Sequence, residues 1–270
     1  MNRFFKWIAI ILAILFFMML GIYFFIQAIF DSEPVIMQNS YISMQLYGDI
    51  PEFSVPNPIE EHFKGTSMDM KKIHQNFKKA AVDDRIKGVI LEISALRIGF
   101  AKLHELYQLI LEYRKSGKQI FAYLEFAGIR DYYLATACDS IFMPEGGNLF
   151  LTGLSAEISF YKGFLQKIGI EADFEHIGKY KNAPDIYTRQ TMTDSQREVI
   201  NELLDARYKD ILTVISNGRN LSKQKVEYLI NNISGFYPKL ALEEKLIDGI
   251  KYIEELPNIL NEQEEEISEI

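Results

Sequence analysis

The first thirty residues contain one long apolar run. From Trp7 to Ile26 the chain has no charged residue, which is about the length that a helix needs to cross a hydrocarbon core of about 30 Å. The run is too long for the hydrophobic region of a cleaved secretion signal, and a poor cleavage site follows it. Residues 1–30 are therefore predicted to form a transmembrane anchor; a signal sequence that is removed is the alternative.

Charges on the two sides of this run predict its orientation. Arg3 and Lys6 precede it, and Asp31 and Glu33 follow it. Because basic residues are retained on the cytoplasmic side of a membrane, we expect a single-pass protein with a cytoplasmic N-terminus. The remainder of the chain is then expected on the outer side.

After the anchor, segments whose apolar residues have the spacing of a strand alternate along the chain with segments that have the spacing of a helix. Strands are predicted at 41–47, 88–93, 119–124, 140–143 and 171–175. Helices are predicted at 68–81, 102–115, 131–138, 160–168, 194–216 and 222–231. This alternation is typical of a mostly parallel α/β sheet. We expect one such domain over residues 31–257, followed by an acidic tail at 258–270.

Composition narrows the classes of partner. The net charge is −8 and the basic residues are scattered, which argues against a nucleic-acid partner. Cys138 is the single cysteine, so the chain has no internal disulfide. The four histidines are far apart in sequence and form no paired metal motif, so we expect no metal and no cofactor.

One stretch, residues 176–185, carries candidate chemistry. It lies between the predicted strand at 171–175 and a long helix whose start is marked by a Thr193-x-x-Gln196 capping box. A lysine held in such a loop, with a carboxylate four residues on, acts as a general base when it is partly desolvated. The alternative is a solvated surface lysine.

Several ordered motifs resemble a known family. They are Asp84-Arg85-Ile86-Lys87-Gly88-Val89-Ile90-Leu91, Gly117-Lys118-Gln119-Ile120, Asp131-Tyr132-Tyr133-Leu134-Ala135, Gly178-x-Tyr180-Lys181-x-Ala183 and Ala241-x-x-x-x-Leu246-Ile247-Asp248. Together they are similar to the amino-terminal half of the long tandem form of signal peptide peptidase A (protease IV), a membrane-anchored serine protease. The resemblance implies an α/β fold of ClpP/crotonase-like repeated ββα units, preceded by one transmembrane helix.

The chemistry that the resemblance implies is a Ser–Lys dyad. Lys181 matches the general-base position, and Tyr180 and Asp185 are candidates for supporting it. For Asp185 a turn-forming or solvated role is the alternative. Tyr132 and Tyr133 are candidates for lining a substrate groove, with core packing as the alternative.

The serine that single-domain members of this family carry is absent here, and the resemblance implies that in the long form the first half supplies the lysine and the second half the serine. The corresponding residues begin at Ile129, and the glycine pair that positions an oxyanion donor is replaced by residues 94–99. Cys138 is interpreted as a core residue, and Ser155 and Ser159 lack any sign of an adjacent base. The chain alone is therefore not expected to hydrolyse peptides.

Two functions from different classes follow. In the first, the chain is the lysine-bearing part of a peptidase that degrades signal peptides at the bacterial inner membrane, with its domain in the periplasm. A serine-bearing half or a homologous subunit would join it in a ring-like homo- or hetero-oligomer, and hydrophobic peptides would be the substrates. In the second, it is an inactive homologue that scaffolds a membrane protease assembly. A crotonase-type acyl-CoA enzyme shares the fold class, but an outward-facing anchored domain would lack that substrate.

Overall fold

The computed structural model describes residues 2–30, 36–55, 68–175 and 177–259. The chain divides into two units, residues 1–38 and residues 39–270. His176, residues 31–35 and 56–67, and positions 260–270 of the predicted acidic tail lie outside the described residues. The boundaries predicted for the domain and the tail remain predictions.

The first unit contains helix α1 (Asn2–Phe30). Its segment Phe5–Phe25 is 21 residues long, none of it is buried, and it carries the apolar side chains needed to cross a membrane. At 1.5 Å per residue this segment is about 31 Å long, which matches the hydrocarbon core of a bilayer. Its length and composition fit a membrane anchor.

The second unit alternates strands and helices along the chain. Its strands are β1 (Ser40–Tyr47), β2 (Ile86–Ser94), β3 (Gln119–Tyr123), β4 (Phe126–Ala127), β5 (Ser140–Met143), β6 (Asn148–Leu149) and β7 (Gly249–Ile250). Its helices are α2 (Met70–Val82), α3 (Phe100–Arg114), α4 (Ile129–Ala135), α5 (Lys162–Lys167), α6 (Asp185–Thr188), α7 (Asp194–Arg219), α8 (Lys223–Asn232) and α9 (Pro238–Glu243). A 3₁₀ turn covers Ile253–Glu255.

The main sheet has five parallel strands in the order β1-β2-β3-β5-β7. Two short strands, β4 and β6, pair in parallel as a second sheet. The successions β3-β4-α4 and β5-β6-α5 are repeated ββα units. In each unit the first strand belongs to the main sheet, the second strand belongs to the small sheet, and a helix follows. The predicted mostly parallel α/β architecture is confirmed.

Apolar side chains on the two faces of the main sheet form two separate clusters. The middle of strand β2, Val89 to Leu91, is apolar and buried because the strand is paired on both edges and covered on both faces. Val89 and Leu91 belong to the larger cluster, under the helices. Ile90 points to the smaller one, where Phe121 and Phe142 pack against Leu256.

The prediction of a strand at 171–175 is wrong. Residues 170–175 have no regular secondary structure. Glu171, Asp173 and Glu175 place carboxylates at alternate positions, and Phe174 between them is 51% exposed. Residues with strand-like spacing form a strand only when a neighbouring strand pairs with them.

Half of the predicted capping box is present at the start of α7. The Thr193 hydroxyl accepts the Gln196 backbone N–H at 3.1 Å. The Gln196 side chain is buried, and its Oε1 has no hydrogen-bond partner among the described residues. The start of the helix is therefore correctly predicted, although the reciprocal bond is not.

A buried carboxylate, Asp131, ties together two loops at the carboxyl edge of the sheet. Its Oδ1 accepts the Leu96 N–H at 2.8 Å, from the loop after β2, and its Oδ2 accepts the Gly128 N–H at 2.7 Å, before α4. Ala95 in the same loop has a positive φ of 49°. Burial raises the pKa of Asp131, while the bonds from these backbone N–H groups oppose that rise.

Helix α7 makes a close approach to the end of α4. A Cβ added at Gly218 would lie 2.5 Å from the Thr136 carbonyl oxygen and 2.7 Å from the Thr136 Cβ. Real side chains do not tolerate such distances, so the two backbones must separate if this glycine is replaced.

We expect Gly218→Ala to lower the free energy of unfolding by about 1–3 kcal/mol, because the added methyl group overpacks the contact with Thr136. Gly163→Ala in α5 is the matched control, because a Cβ there meets no atom within 4 Å. That control should be neutral, or stabilising by up to about 1 kcal/mol, since alanine favours helix. Urea unfolding followed by circular dichroism measures both, and equal effects of the two variants would contradict the close approach.

We expect Asp131→Ala to lower the free energy of unfolding by roughly 2 to 4 kcal/mol, because two backbone N–H groups lose their acceptor. Asp49→Ala is the control: its carboxylate pairs with Arg97 at 3.3 Å, but the side chain is 71% exposed. Its effect should stay within about 0.5 kcal/mol. An Asp131→Ala variant as stable as the wild type in urea would show that Asp131 does not hold the loops.

Candidate functional site

The predicted lysine stretch forms two successive turns between α5 and α6. Gly178 has a φ of 108°, a conformation that favours glycine, and its carbonyl accepts the Lys181 N–H at 3.2 Å. The Asn182 carbonyl accepts the Asp185 N–H at 3.0 Å, which starts α6. The backbone at Lys181 is therefore fixed by local bonds, while its side chain is exposed.

The two lysines of this stretch have different surroundings. Lys179 Nζ lies 3.4 Å from the Tyr180 hydroxyl and 3.5 Å from Glu198 Oε2, and these contacts raise the pKa of Lys179. A lysine held in its charged form cannot accept a proton. Within the described structure, the Lys181 side chain makes no hydrogen bond or ion pair. Of the two lysines, Lys181 is therefore the one whose amine has no polar partner among the described residues.

Neither candidate for supporting Lys181 bonds to it directly. Asp185 is buried, and its Oδ1 pairs with Arg189 Nε at 3.3 Å across one turn of helix. The Tyr180 ring lies under the Lys179 ammonium, 5.0 Å from the ring centre. If these residues help Lys181, they do so by shaping the loop.

The two predicted groove tyrosines lie in the core of the chain. Tyr132 is fully buried, and its hydroxyl donates to the Leu246 carbonyl at 2.6 Å. Tyr133 is also buried and donates to Asp210 Oδ2 at 3.1 Å. Burial raises the pKa of both hydroxyls. These positions favour the packing alternative, because neither ring is open to a ligand.

An activated nucleophile is not found among the described residues. Ser155 and Ser159 are exposed and have no hydrogen-bond partner there. Cys138 is buried, and this burial raises the pKa of its thiol, so it is a core residue as predicted. Hydroxyl nucleophiles need an adjacent base, and neither serine has one.

An open cleft of about 540 Å³ lies at the carboxyl ends of β1 and β2. Parallel α/β sheets bind their ligands at this edge. The Leu96 N–H and the Gly128 N–H at its wall are both bonded to Asp131, so these two donors are not free to receive an oxyanion. Sequence reasoning missed Asp131, although a carboxylate at the third position of a helix preceded by glycine is a recognisable signal.

Comparison with known proteins gives consistent matches. The sequence model of peptidase family S49 matches residues 112–267. "Serine protease SPPA, chloroplastic" of Arabidopsis thaliana is 34% identical over 229 residues, which cover 84% of this chain and 33% of that protein. "Protease 4" of Salmonella typhi is 26% identical over 70% of this chain and 32% of its own length. "Protease 4" of Haemophilus influenzae is 25% identical over 55% of this chain and 24% of its own length.

The chain thus spans about a third or less of the length of these curated relatives. The family match covers more than half of the chain and includes the lysine stretch, α7 and the second small-sheet strand. The predicted fold class is confirmed as a mostly parallel α/β sheet with helices, and the described residues include one apolar helix near the N-terminus. On this evidence the chain belongs to peptidase family S49.

Proposed function

We propose that the chain is the lysine-bearing component of a membrane-anchored serine peptidase that uses a Ser–Lys dyad. Lys181 is its general base, and a serine nucleophile comes from another half or chain. The observation that carries this proposal is the state of Lys181: its backbone is held by two turns, and its amine is without a partner in the described structure. A lysine kept in place but unpaired is suited to a site that another protein completes.

Solvation gives a physical reason for a second component. A water-exposed ammonium is a poor base, because water stabilises the charged form. Covering the loop with another protein surface removes that water and favours the neutral amine, which can take the proton of a serine hydroxyl. The same partner would bring the missing serine, so assembly would create the base and the nucleophile together.

The surroundings of Lys181 support such a contact. Five apolar side chains on or beside the loop and in the first turns of α7 are between 42% and 94% exposed. We call them the lysine face: Phe174, Ile177, Tyr180, Val199 and Leu203. The Lys179–Glu198 ion pair holds the loop against the first turns of α7. Between residues 197 and 210, α7 has no buried side chain. Exposed apolar residues in this number favour a protein interface.

The substrates follow from the family and the anchor. A site held beside a bilayer by α1 would meet hydrophobic segments released from the membrane, and signal peptides are the expected class. The charges around α1 favour an outward orientation, and we propose that the domain lies in the periplasm of a bacterial cell. The alternative function is an inactive scaffold of a membrane protease assembly, for which Lys181 would have no chemical role.

We expect Lys181→Ala to abolish turnover in the assembled enzyme, by at least about a thousandfold, because the serine loses its base. Lys179→Ala is the matched control two residues away and should keep most of the activity, since its ammonium is bound to Glu198. The measurement is cleavage of a signal peptide by the complex purified in detergent from its own cells through a tag on this chain.

The same preparation separates the two functions. A co-purified chain labelled by an active-site serine probe, with turnover lost in Lys181→Ala, supports the peptidase. A preparation that the serine probe does not label, and whose turnover is the same in the wild type and in Lys181→Ala, would support the scaffold and overturn the dyad.

We expect Leu203→Glu to prevent assembly, because it buries an unpaired carboxylate in the lysine face. Leu203 is 56% exposed, so the substitution should leave the melting temperature of the isolated chain unchanged. Tyr228→Glu, at a site on α8 that is also 56% exposed, is the control. Native mass in detergent measures assembly, and a Leu203→Glu complex of full mass would exclude this face as the interface.

A further inference from the structure

Aromatic rings close the two ends of the lysine stretch. The Tyr187 ring, in α6, stacks on Phe174, which comes just before the stretch, with the ring centres 5.9 Å apart. It also stacks on Tyr161, the residue before α5, at 6.2 Å. We propose that Tyr187 is a positioning residue that clamps this loop and so sets where the Lys181 amine lies. This inference rests on the proposed function, because the place of the amine matters only if it acts as the base.

The segment around the lysine stretch has little core of its own. Among the described residues between 152 and 195, Asp185 alone is buried. Its carboxylate pairs with Arg189 across one helical turn, so this contact does not join the two ends of the loop. A segment with few buried apolar contacts opens easily. Each contact that does join its ends therefore has a large effect on where its side chains lie.

Tyr187 is the ring common to both contacts. Its plane lies 26° from that of Phe174 and 28° from that of Tyr161. Aromatic pairs at such distances attract each other beyond the area that they bury. The main chain supports the same arrangement, because the Tyr161 N–H donates to the Ile186 carbonyl at 2.7 Å and holds the start of α5 beside α6.

The ring of Tyr187, and not its hydroxyl, carries this role. The hydroxyl forms no hydrogen bond with a described residue. Phenylalanine at this position would keep both ring contacts, whereas alanine would remove both. The side chain is 40% exposed, so neither substitution opens a cavity in the buried core.

The functional consequence is a base that is in place before the serine arrives. The turns at Gly178 and Asn182 set the shape of the loop, and the rings set the position of its ends. An amine that takes the proton of a serine hydroxyl must lie within hydrogen-bond reach of it. A displacement of about 1 Å costs up to about a hundredfold in rate, so loosening the loop should lower kcat and leave substrate binding unchanged.

The first test is hydrogen–deuterium exchange of the full chain in detergent, followed by mass spectrometry of peptides that cover residues 177–186. We expect Tyr187→Ala to speed exchange there about tenfold, because the loop opens more often when both ring contacts are lost. Tyr187→Phe should exchange as the wild type does. Tyr228→Ala is the control, because it removes an exposed tyrosine ring on α8, outside this stack, and should leave exchange in the loop unchanged.

The second test is turnover of a signal peptide by the assembled enzyme. Tyr187→Ala should lower kcat about ten- to a hundredfold, with KM changed by less than about twofold. Tyr187→Phe should stay within about twofold of the wild type in both constants, because it keeps the ring. The native mass of the Tyr187→Ala complex should be unchanged. A smaller mass would overturn the proposal, since Tyr187 would then act in assembly.

The two measurements separate this inference from the proposed function. Unchanged exchange or unchanged kcat in Tyr187→Ala, an equal loss in Tyr187→Phe, or a loss confined to KM would each overturn the clamp, even with turnover abolished in Lys181→Ala. Turnover that survives Lys181→Ala would instead refute the base. It would leave the clamp without a catalytic role, even where Tyr187→Ala loosens the loop.

Discussion

The burial of the Asp131 carboxylate among backbone N–H groups constrains the whole carboxyl edge of the sheet. One oxygen holds the loop that follows β2, and the other holds the turn that starts α4. A carboxylate taken out of water is costly unless several donors compensate for it, so both loops must keep their positions for the charge to be tolerated. The occupation of the Leu96 and Gly128 N–H groups in the wall of the cleft follows from this arrangement.

The same hydrogen bonds occupy two donors at the wall of the cleft. In a serine peptidase, unpaired N–H groups stabilise the negative charge that develops on the substrate. Here the Leu96 and Gly128 N–H groups are bonded to Asp131 and are not free for that role. The candidate base, Lys181, lies on a different segment, and its surroundings are exposed and apolar.

The long helix α7 shows how one element can serve both the core and an interface. Its C-terminal half is buried, and Gly218 permits the backbone contact with Thr136. Its N-terminal half has no buried side chain from 197 to 210, yet it begins with a well-formed cap at Thr193. A capped but uncovered half-helix stays ordered through local bonds, and it presents Val199 and Leu203 on one face.

Local patterns in the sequence were sufficient for the alternation of strands and helices and for the start of α7. These features depend on periodicity and on bonds between residues close in the chain. The prediction of a strand at 171–175 was wrong, because a strand requires a partner and no described strand pairs with these residues. The contacts of Asp131, the packing of Tyr132 against the Leu246 carbonyl and the pairing of Asp185 with Arg189 emerged only from the tertiary structure. Asp131 and Leu96 are 35 residues apart, and Tyr132 and Leu246 are 114 residues apart.

Sequence alone determined the fold class and the lysine stretch. The folded chain decided which donors and acceptors meet, because hydrogen bonds form between groups that the fold brings within about 3 Å.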